Sequence, residues 1–145
     1  MTFRVIHPPD NGTRLSPYQI VEQADGREVD WVNRFLDHQW VRGLAEPTLR
    51  SYAMDLLHFL RWWASQHGTV DVGDGDRTEV TLLDYVRFQS AQRPRPAAAS
   101  INRRIGVVER ALRNDSAGLA GPWYQDFIIS IGAARHWALV ERVRR

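Results

Sequence analysis

Residues 44–63 read LAEPTLRSYAMDLLHFLRWW, and this stretch decides the fold class. Its apolar side chains recur at steps of three and four, the spacing that places them on one side of an α-helix. Pro47 suits the first turn of such a helix, because the N–H that proline lacks would be unpaired there in any case. The pattern predicts a helix over 47–66, ending before Gly68. Its buried stripe is Leu49, Tyr52, Ala53, Leu56, Phe59, Leu60 and Trp63.

Helical periodicity continues on both sides of this stretch. It predicts a helix from residue 30 to near residue 43, and another over 81–91 whose Thr81 and Asp84 resemble a capping box. A fourth helix over 98–113 buries Ile101, Ile105, Val108 and Leu112, and residues 123–142 show a less regular pattern for a last helix. Residues 1–17 are interpreted as an extension without core periodicity, followed by a short hairpin around residues 24–26. We therefore expect an all-α fold, a compact bundle of four to five short helices.

The charge is unevenly distributed along the 145 residues, although the net charge is only +2. Residues 1–86 carry 8 arginines against 13 acidic residues, a net charge of −5, and residues 87–145 carry 11 arginines against 4, a net charge of +7. All 19 basic residues are arginine. This asymmetry favours an anionic partner for the second part, nucleic acid first, but an acidic half that neutralises a basic half within one fold is the alternative.

Composition disfavours several other classes of protein. At 43% hydrophobic and 25% charged residues, the chain is typical of one soluble globular domain and is short for a two-domain enzyme. It has no cysteine, which fits a reducing cytoplasm, and no apolar run approaches the roughly 20 residues that span a membrane. The histidines are not at metal-ligand spacing, and the aspartates at 71–76 lack the glycine and glutamate positions of a calcium loop. We expect no metal and no cofactor.

The six tryptophans admit two explanations, core anchors of a helical bundle or a stacking platform for single-stranded bases. Trp31, Trp40 and Trp63 lie on apolar stripes, which favours the core. Trp62 lies off the stripe of its helix, and the sequence does not decide whether it packs against another element or against a partner.

The fourth helix has the strongest functional pattern. Arg103, Arg110 and Arg113 fall in one exposed sector, because seven and three residues return a helix to nearly the same angle. Gly106 lies between them, with no side chain to hold a partner away, and Arg104 is expected alongside. With Ser100 and Asn102, these arginines suit the phosphates and guanines of a DNA major groove. The alternative is a solvated helix face on which Glu109 is the one acid.

Two segments together resemble one family. Residues 48–59 contain Thr, then Arg-x-Tyr-x-x-Asp-Leu, then Phe, and residues 100–105 read SINRRI. These resemble the second and fourth helices of the core-binding domain of tyrosine recombinases, the phage integrases and Xer-type enzymes, and the likeness runs from about residue 29 to residue 113. Two helix starts depart from the family pattern. Ala45 replaces the usual capping serine, with proline shifted to position 47, and alanines at 97–99 replace a Ser-Pro cap.

The resemblance implies two crossed helical hairpins that form one half of a clamp around duplex DNA. In the family the second and fourth helices face the DNA, mostly its phosphates, and the last helix contacts a neighbouring protomer. Asp55 is expected to cap or pair locally, and Tyr52 is not expected to be a nucleophile. The resulting DNA-contact candidates are Thr48, Arg50, Ser51, Ser100, Asn102, Arg103 and Arg104, to which the arginine pattern adds Arg110 and Arg113.

The family's chemistry resides in a separate C-terminal domain with a lysine, a His-x-x-Arg motif and a tyrosine nucleophile. This chain has no lysine, and the His-x-x-Arg at His58 and Arg61 falls inside the second helix, so we interpret it as coincidence. The resemblance therefore implies no catalytic residues here and no enzyme activity for this chain alone. It divides the chain into an N-terminal extension (1–28), a core-binding domain (29–121) and a C-terminal helix (122–145) that leads to the linker of an absent catalytic domain.

The expected partners are double-stranded DNA and, through the last helix, other protomers on the DNA. The isolated domain is expected to be a cytoplasmic monomer, at the nucleoid when bound to DNA, with no membrane association. The alternative from a different class is a helical interaction or oligomerisation module without DNA binding, using the Trp62 face and the last helix. An enzyme in its own right is the least favoured hypothesis.

Overall fold

Four α-helices and one small antiparallel sheet form the part of the chain that the computed structural model describes, residues 1–7 and 14–115. The elements are β1 (Phe3–Ile6), β2 (Gln19–Glu22), α1 (Asp30–Val41), α2 (Glu46–His67), α3 (Glu79–Ala91) and α4 (Ala98–Asp115), with a short 3-10 turn at Asp74–Asp76. The all-α fold class is thereby confirmed. The predicted last helix over 123–142 lies outside the described residues, and the boundaries 1–28, 29–121 and 122–145 stay a prediction.

The chain divides into two compact units, Met1–Asp71 and Val72–Arg145. The first unit contains β1, β2, α1 and α2, and within it α2 packs against α1 and both strands. The second contains α3 and α4, which pack against each other. Each unit thus contributes one helical hairpin.

The α2 stripe is buried as predicted. Leu49, Ala53, Leu56, Phe59, Leu60 and Trp63 are buried, and the half-buried Tyr52 stacks on Phe35 of α1 with ring centroids 6.3 Å apart. The helix begins at Glu46, with Pro47 in its first turn, and ends at His67. Gly68 follows in the left-handed conformation, φ +69°, where a side chain would be strained.

Three of the four tryptophans on α1 and α2 are buried. The indole N–H groups of Trp31 and Trp63 donate to the carbonyls of Val70 (2.8 Å) and Asp71 (3.0 Å), which fixes the segment after α2. Trp62 is 7% exposed and its ring lies 5.8 Å from that of Phe59, so it packs within the chain. The prediction for Trp40 is wrong, because it is 39% exposed. Gln39, not Trp40, continues the buried face in the last turn of α1.

The sheet contains one strand that periodicity did not predict. β1 pairs with β2 in antiparallel register, Phe3 opposite Glu22, and the Phe3 side chain is buried. The interpretation of residues 1–17 as an extension without core periodicity was therefore wrong for β1, which contributes to the core. The pattern was missed because a four-residue strand has too few alternations to be recognised. The predicted turn around residues 24–26 is present, with the N–H of Glu22 donating to the carbonyl of Arg27 at 2.7 Å and an isolated bridge between Val21 and Glu28.

The second unit starts with a buried arginine and a threonine cap. Arg77 donates through Nε to the Val72 carbonyl and through Nη1 to the Leu112 carbonyl, both at 3.0 Å, and pairs with Asp115. It thereby ties the loop before α3 to the last turn of α4, whose carbonyls lack partners within the helix. Thr78 caps α3 by accepting from the Thr81 N–H, so α3 begins two residues before the predicted start at Thr81.

Asn33 of α1 is fully buried and connects the helix to the sheet. Its Oδ1 accepts from the Ile20 N–H at 2.8 Å, and its Nδ2 donates to the Ile20 carbonyl at 3.0 Å. The side-chain amide thus bonds both backbone groups of Ile20, whose carbonyl also accepts from the Val29 N–H at 3.1 Å.

The variant Asn33→Ala should lower the free energy of unfolding by about 1–3 kcal/mol, because it leaves a buried backbone donor without its acceptor. Urea denaturation of the 145-residue chain measures the change. Gln66→Ala, at an exposed position of α2, is the matched control and should shift the value by less than about 0.5 kcal/mol. An Asn33→Ala variant as stable as this control would contradict the role assigned to the amide.

Candidate nucleic-acid interface

The sequence predicts an arginine stripe on α4, and the structure exposes it. Arg103 and Arg110 are exposed and the Arg113 side chain is 31% exposed, whereas Ile101, Ile105, Val108 and Leu112 are buried. At about 100° per residue, the three arginines fall within a sector of about 80°. We call Arg103, Arg110 and Arg113 the arginine stripe. Because the apolar face of α4 is buried, the side chains of the arginine stripe project into solvent.

Gly106 opens the surface in the middle of the arginine stripe. A Cβ placed on this residue would meet no atom within 4 Å, so the space beside the helix backbone is empty. Arg110 folds back along the helix and leaves this space open, with its Nε donating to the Gly106 carbonyl at 3.2 Å. A ligand backbone can therefore approach α4 closely at this position while guanidinium groups stand on either side.

Glu109 is a buried acid beside the arginine stripe. The residue is 8% exposed, and its Oε1 lies 3.5 Å from Nη1 of Arg113 one turn later. Burial raises the pKa of the Glu109 carboxyl above its usual value, while Arg113 and Arg110 act in the opposite direction. Part of the positive charge of Arg113 is thus offset within the helix.

The other α4 candidates lie beside or behind the arginine stripe. Arg104 is half-buried and donates from Nη1 to Oε1 of the buried Gln89 on α3, at 3.1 Å. Its helical angle, about 100° from Arg103, places it with Ser100 on the side opposite Arg113. Asn102 is half-buried on the Arg113 side. Arg104 was expected alongside the arginine stripe. It is adjacent to Arg103 in sequence, but it lies on a different side of the helix.

The candidates on α2 are all exposed but do not share one face. Thr48 and Arg50 differ by two residues, hence by about 160° around the helix. Ser51, whose Oγ donates to the Pro47 carbonyl at 3.2 Å, lies between them in angle. Asp55 is 4% exposed, consistent with a local structural role and not with a DNA-facing one.

Two further arginines join Arg50 in a groove between β1 and α2. We define the β1–α2 groove by Arg4, His7, Tyr18, Arg50, Met54 and Arg61, which line an open cavity of about 350 Å³. Sequence reasoning missed Arg4 because it lies in a strand too short to recognise, and treated Arg61 as part of a chance motif. The spacing of 50, 54, 57 and 61, which marks a second stripe on α2, was the available signal.

The described residues contain neither a membrane-length apolar helix nor a metal-ligand cluster. In residues 1–7 and 14–115, no helix has both the length and the apolar character of a membrane span. Over the same ranges, no three histidine, aspartate or glutamate side chains are grouped so that they could hold a metal ion.

The variant Glu109→Gln should raise the stability of the chain more at pH 7 than at pH 4. Because the pKa of Glu109 is raised in the native state, the native state favours the protonated carboxyl. The protonated carboxyl therefore stabilises the native state below the ordinary pKa of glutamate, and this stabilisation is lost as the pH rises through the native pKa. Glutamine imitates the protonated form at every pH. Urea denaturation at both pH values tests this, with the exposed Asp84→Asn as the control. An equal effect of Glu109→Gln at both pH values would be inconsistent with the buried carboxyl.

Comparisons with known proteins identify the family of the chain. Residues 32–113 match the family model described as phage integrase, N-terminal SAM-like domain. The tyrosine recombinase XerD of Vibrio vulnificus, from strains YJ016 and CMCP6, is 44% identical over 54 residues. That alignment covers 37% of this chain and 18% of the relative, so the chain matches under a fifth of the length of these recombinases. No solved structure matches significantly. Since the family model covers more than half of the sequence, the chain belongs to the family of phage integrase N-terminal SAM-like domains.

Proposed function

We propose that this chain is the DNA-binding domain of a site-specific tyrosine recombinase and that it binds duplex DNA through α2 and α4. The observation that carries the proposal is the exposed arginine stripe of α4, within the segment that matches the integrase family. In this proposal the domain forms one half of a clamp, and DNA integration or recombination is carried out by a catalytic domain outside these 145 residues.

The chemistry of the arginine stripe fits a DNA backbone. Guanidinium groups stay charged at any physiological pH and bind phosphate oxygens through two parallel N–H donors. An α-helix about 10–12 Å across enters the major groove, which is about 12 Å wide. Gly106 allows the helix backbone to approach closely, so that Arg103 and Arg110 contact phosphates or the O6 and N7 of guanine.

The polar candidates have supporting roles in this proposal. Exposed hydroxyls of Thr48 and Ser51 donate to phosphates from the first turns of α2, Ser51 exchanging its bond to the Pro47 carbonyl for one to a phosphate. Arg50 supplies charge there. Ser100, Asn102 and Arg104 lie near the start of α4 and are half-buried. In this proposal they contact the DNA with side chains whose conformations are restricted by packing against their neighbours. Position-fixing contacts of this kind set the register of the protein on the duplex and do not by themselves read sequence.

The proposed assembly also follows the family. The parent protein is a tyrosine recombinase that breaks and rejoins DNA strands, protomers contact each other on DNA through the last helix, and the isolated domain is a monomer. Such a protein works in the cytoplasm, at the nucleoid. The last helix, 122–145, lies outside the described residues, so its contacts stay a prediction.

The alternative function, an interaction module without DNA binding, has lost one of its two expected surfaces, while the other, the last helix, lies outside the described residues. Trp62 is buried, and the large apolar side chains that are exposed belong to separate parts of the described residues. They are Met1, Leu15, Trp40, Val41, Met54 and Val80. Partner-binding patches on soluble proteins usually extend over a few hundred Å² of contiguous apolar surface. The arginine stripe therefore favours DNA over a protein partner.

Replacing Arg103 and Arg110 together by alanine should weaken duplex binding and reduce its salt dependence. Each phosphate contact contributes about 0.9 to the slope of log affinity against log salt, so the slope should fall in magnitude by about 1.8. Fluorescence anisotropy with a labelled duplex measures it. Arg87→Ala removes one positive charge, half of that lost in the double variant, from an exposed position of α3 and should leave the slope unchanged. A wild-type slope near zero, or one equal to that of the double variant, would exclude the proposed function.

The chain alone should form no covalent bond to DNA. A suicide duplex that traps a phosphotyrosine intermediate should give no adduct on a denaturing gel, because an isolated tyrosine lacks the groups that activate a nucleophile and neutralise the transferring phosphate. A full-length tyrosine recombinase serves as the positive control. Any adduct formed by the 145-residue chain would show that it has catalytic residues of its own.

A further inference from the structure

We propose that the β1–α2 groove binds a phosphate segment of the duplex, so that strand β1 extends the DNA interface of α2. The inference rests on the proposed function and adds to it a second surface, in which residues of β1 that precede the family match join α2 residues within it. It assigns a binding role to Arg4 and Arg61, in addition to Arg50.

The charge of the groove is the first argument. Three arginines and His7 line it, and no carboxylate is among its lining residues. These positive side chains are clustered within residues 1–86, where acidic residues outnumber arginines 13 to 8. The positive charge of the groove is therefore local and does not follow from the overall charge of this part of the chain. Arg4 and Arg50 are exposed, and neither has an ion pair within the described residues. Three arginines grouped with no carboxylate in the lining, and with Glu46 only at one end, are the usual footprint of a phosphate ligand.

The geometry of the groove is the second argument. On α2, Arg50, Met54, Leu57 and Arg61 follow at steps of four, three and four, so they form one wall. The other wall is the outer edge of β1. Because the Gln23 N–H donates to the Thr2 carbonyl, the antiparallel alternation turns the backbone groups of Phe3 and Val5 away from β2.

Arg61 holds these two walls together. Its Nη2 donates to the outward Phe3 carbonyl at 3.3 Å, while the Phe3 side chain is buried. By the same alternation the Val5 N–H faces the groove, where it adds a backbone donor to the arginines. A strand edge and a helix face thus present guanidinium and amide donors to a common space, an arrangement that suits consecutive phosphates better than a single small anion.

Glu46 limits the groove at one end. Its Oε1 lies 3.6 Å from Nε2 of His7 and accepts from the Tyr18 hydroxyl at 3.4 Å. The carboxylate positions two lining side chains but also opposes an incoming phosphate. Removing its charge should therefore strengthen DNA binding, a change opposite in sign to that of removing Arg4.

The test compares single variants of the 145-residue chain in duplex anisotropy titrations over a range of salt. Arg4→Gln should reduce the magnitude of the salt slope by about 0.9 and weaken binding roughly fivefold to tenfold at about 0.1 M salt. Glu46→Gln should bind the duplex more tightly than wild type. Arg27→Gln removes an equal charge from the exposed turn after β2, outside the groove, and should match wild type.

The outcomes separate this proposal from the proposed function. If the Arg103 and Arg110 variant weakens binding but Arg4→Gln behaves like Arg27→Gln, the groove assignment fails and the proposed function stands. If wild type does not bind the duplex, both fail. If Arg4→Gln leaves duplex binding intact but weakens binding of a labelled hexaglutamate peptide, the groove belongs to an acidic protein segment and the DNA assignment is overturned.

Discussion

Burial of the aromatic and aliphatic stripe of α2 is the constraint on which the first unit depends. A 22-residue helix with such a stripe requires apolar partners, and α1, β1 and β2 supply them. The indoles of Trp31 and Trp63 bring one polar N–H each into this core, and the carbonyls of Val70 and Asp71 satisfy them. Asn33 does the same for the backbone of Ile20. Each polar contact follows from the need to pair groups that apolar packing removes from water.

The same rule distributes the charges. In α4 the apolar side chains occupy one face, so Arg103 and Arg110 must project outward, where a positive surface costs little. Glu109 lies at the margin of the buried face and is desolvated, which raises the pKa of its carboxyl. In α2 a similar separation of apolar and charged side chains leaves Arg50 and Arg61 on the side that faces β1. The groove forms between that side of the helix and the strand.

Helix existence, and most of the helix faces, were predictable from local pattern. The stripes of α2 and α4 repeat over several turns, so few alternatives fit them. Helix ends and isolated residues were less predictable, because they depend on one contact. Thr78 rather than Thr81 caps α3, and Gln39 rather than Trp40 takes the core position in the last turn of α1. For the candidate site, exposure of the arginine stripe followed from periodicity, whereas the contact of Arg104 with Gln89 did not.

By itself, then, the sequence determined an all-α fold, a basic helix with three of its four arginines on one face, and a resemblance that the family match confirms, because these depend on spacing within single helices. Tertiary structure alone decided that β1 joins the core, that Trp62 is buried and Trp40 exposed, and that Arg4 lines one groove with Arg50 and Arg61. Those outcomes depend on which surfaces pack together over a separation of many residues. Residue spacing within one element carries no information about them.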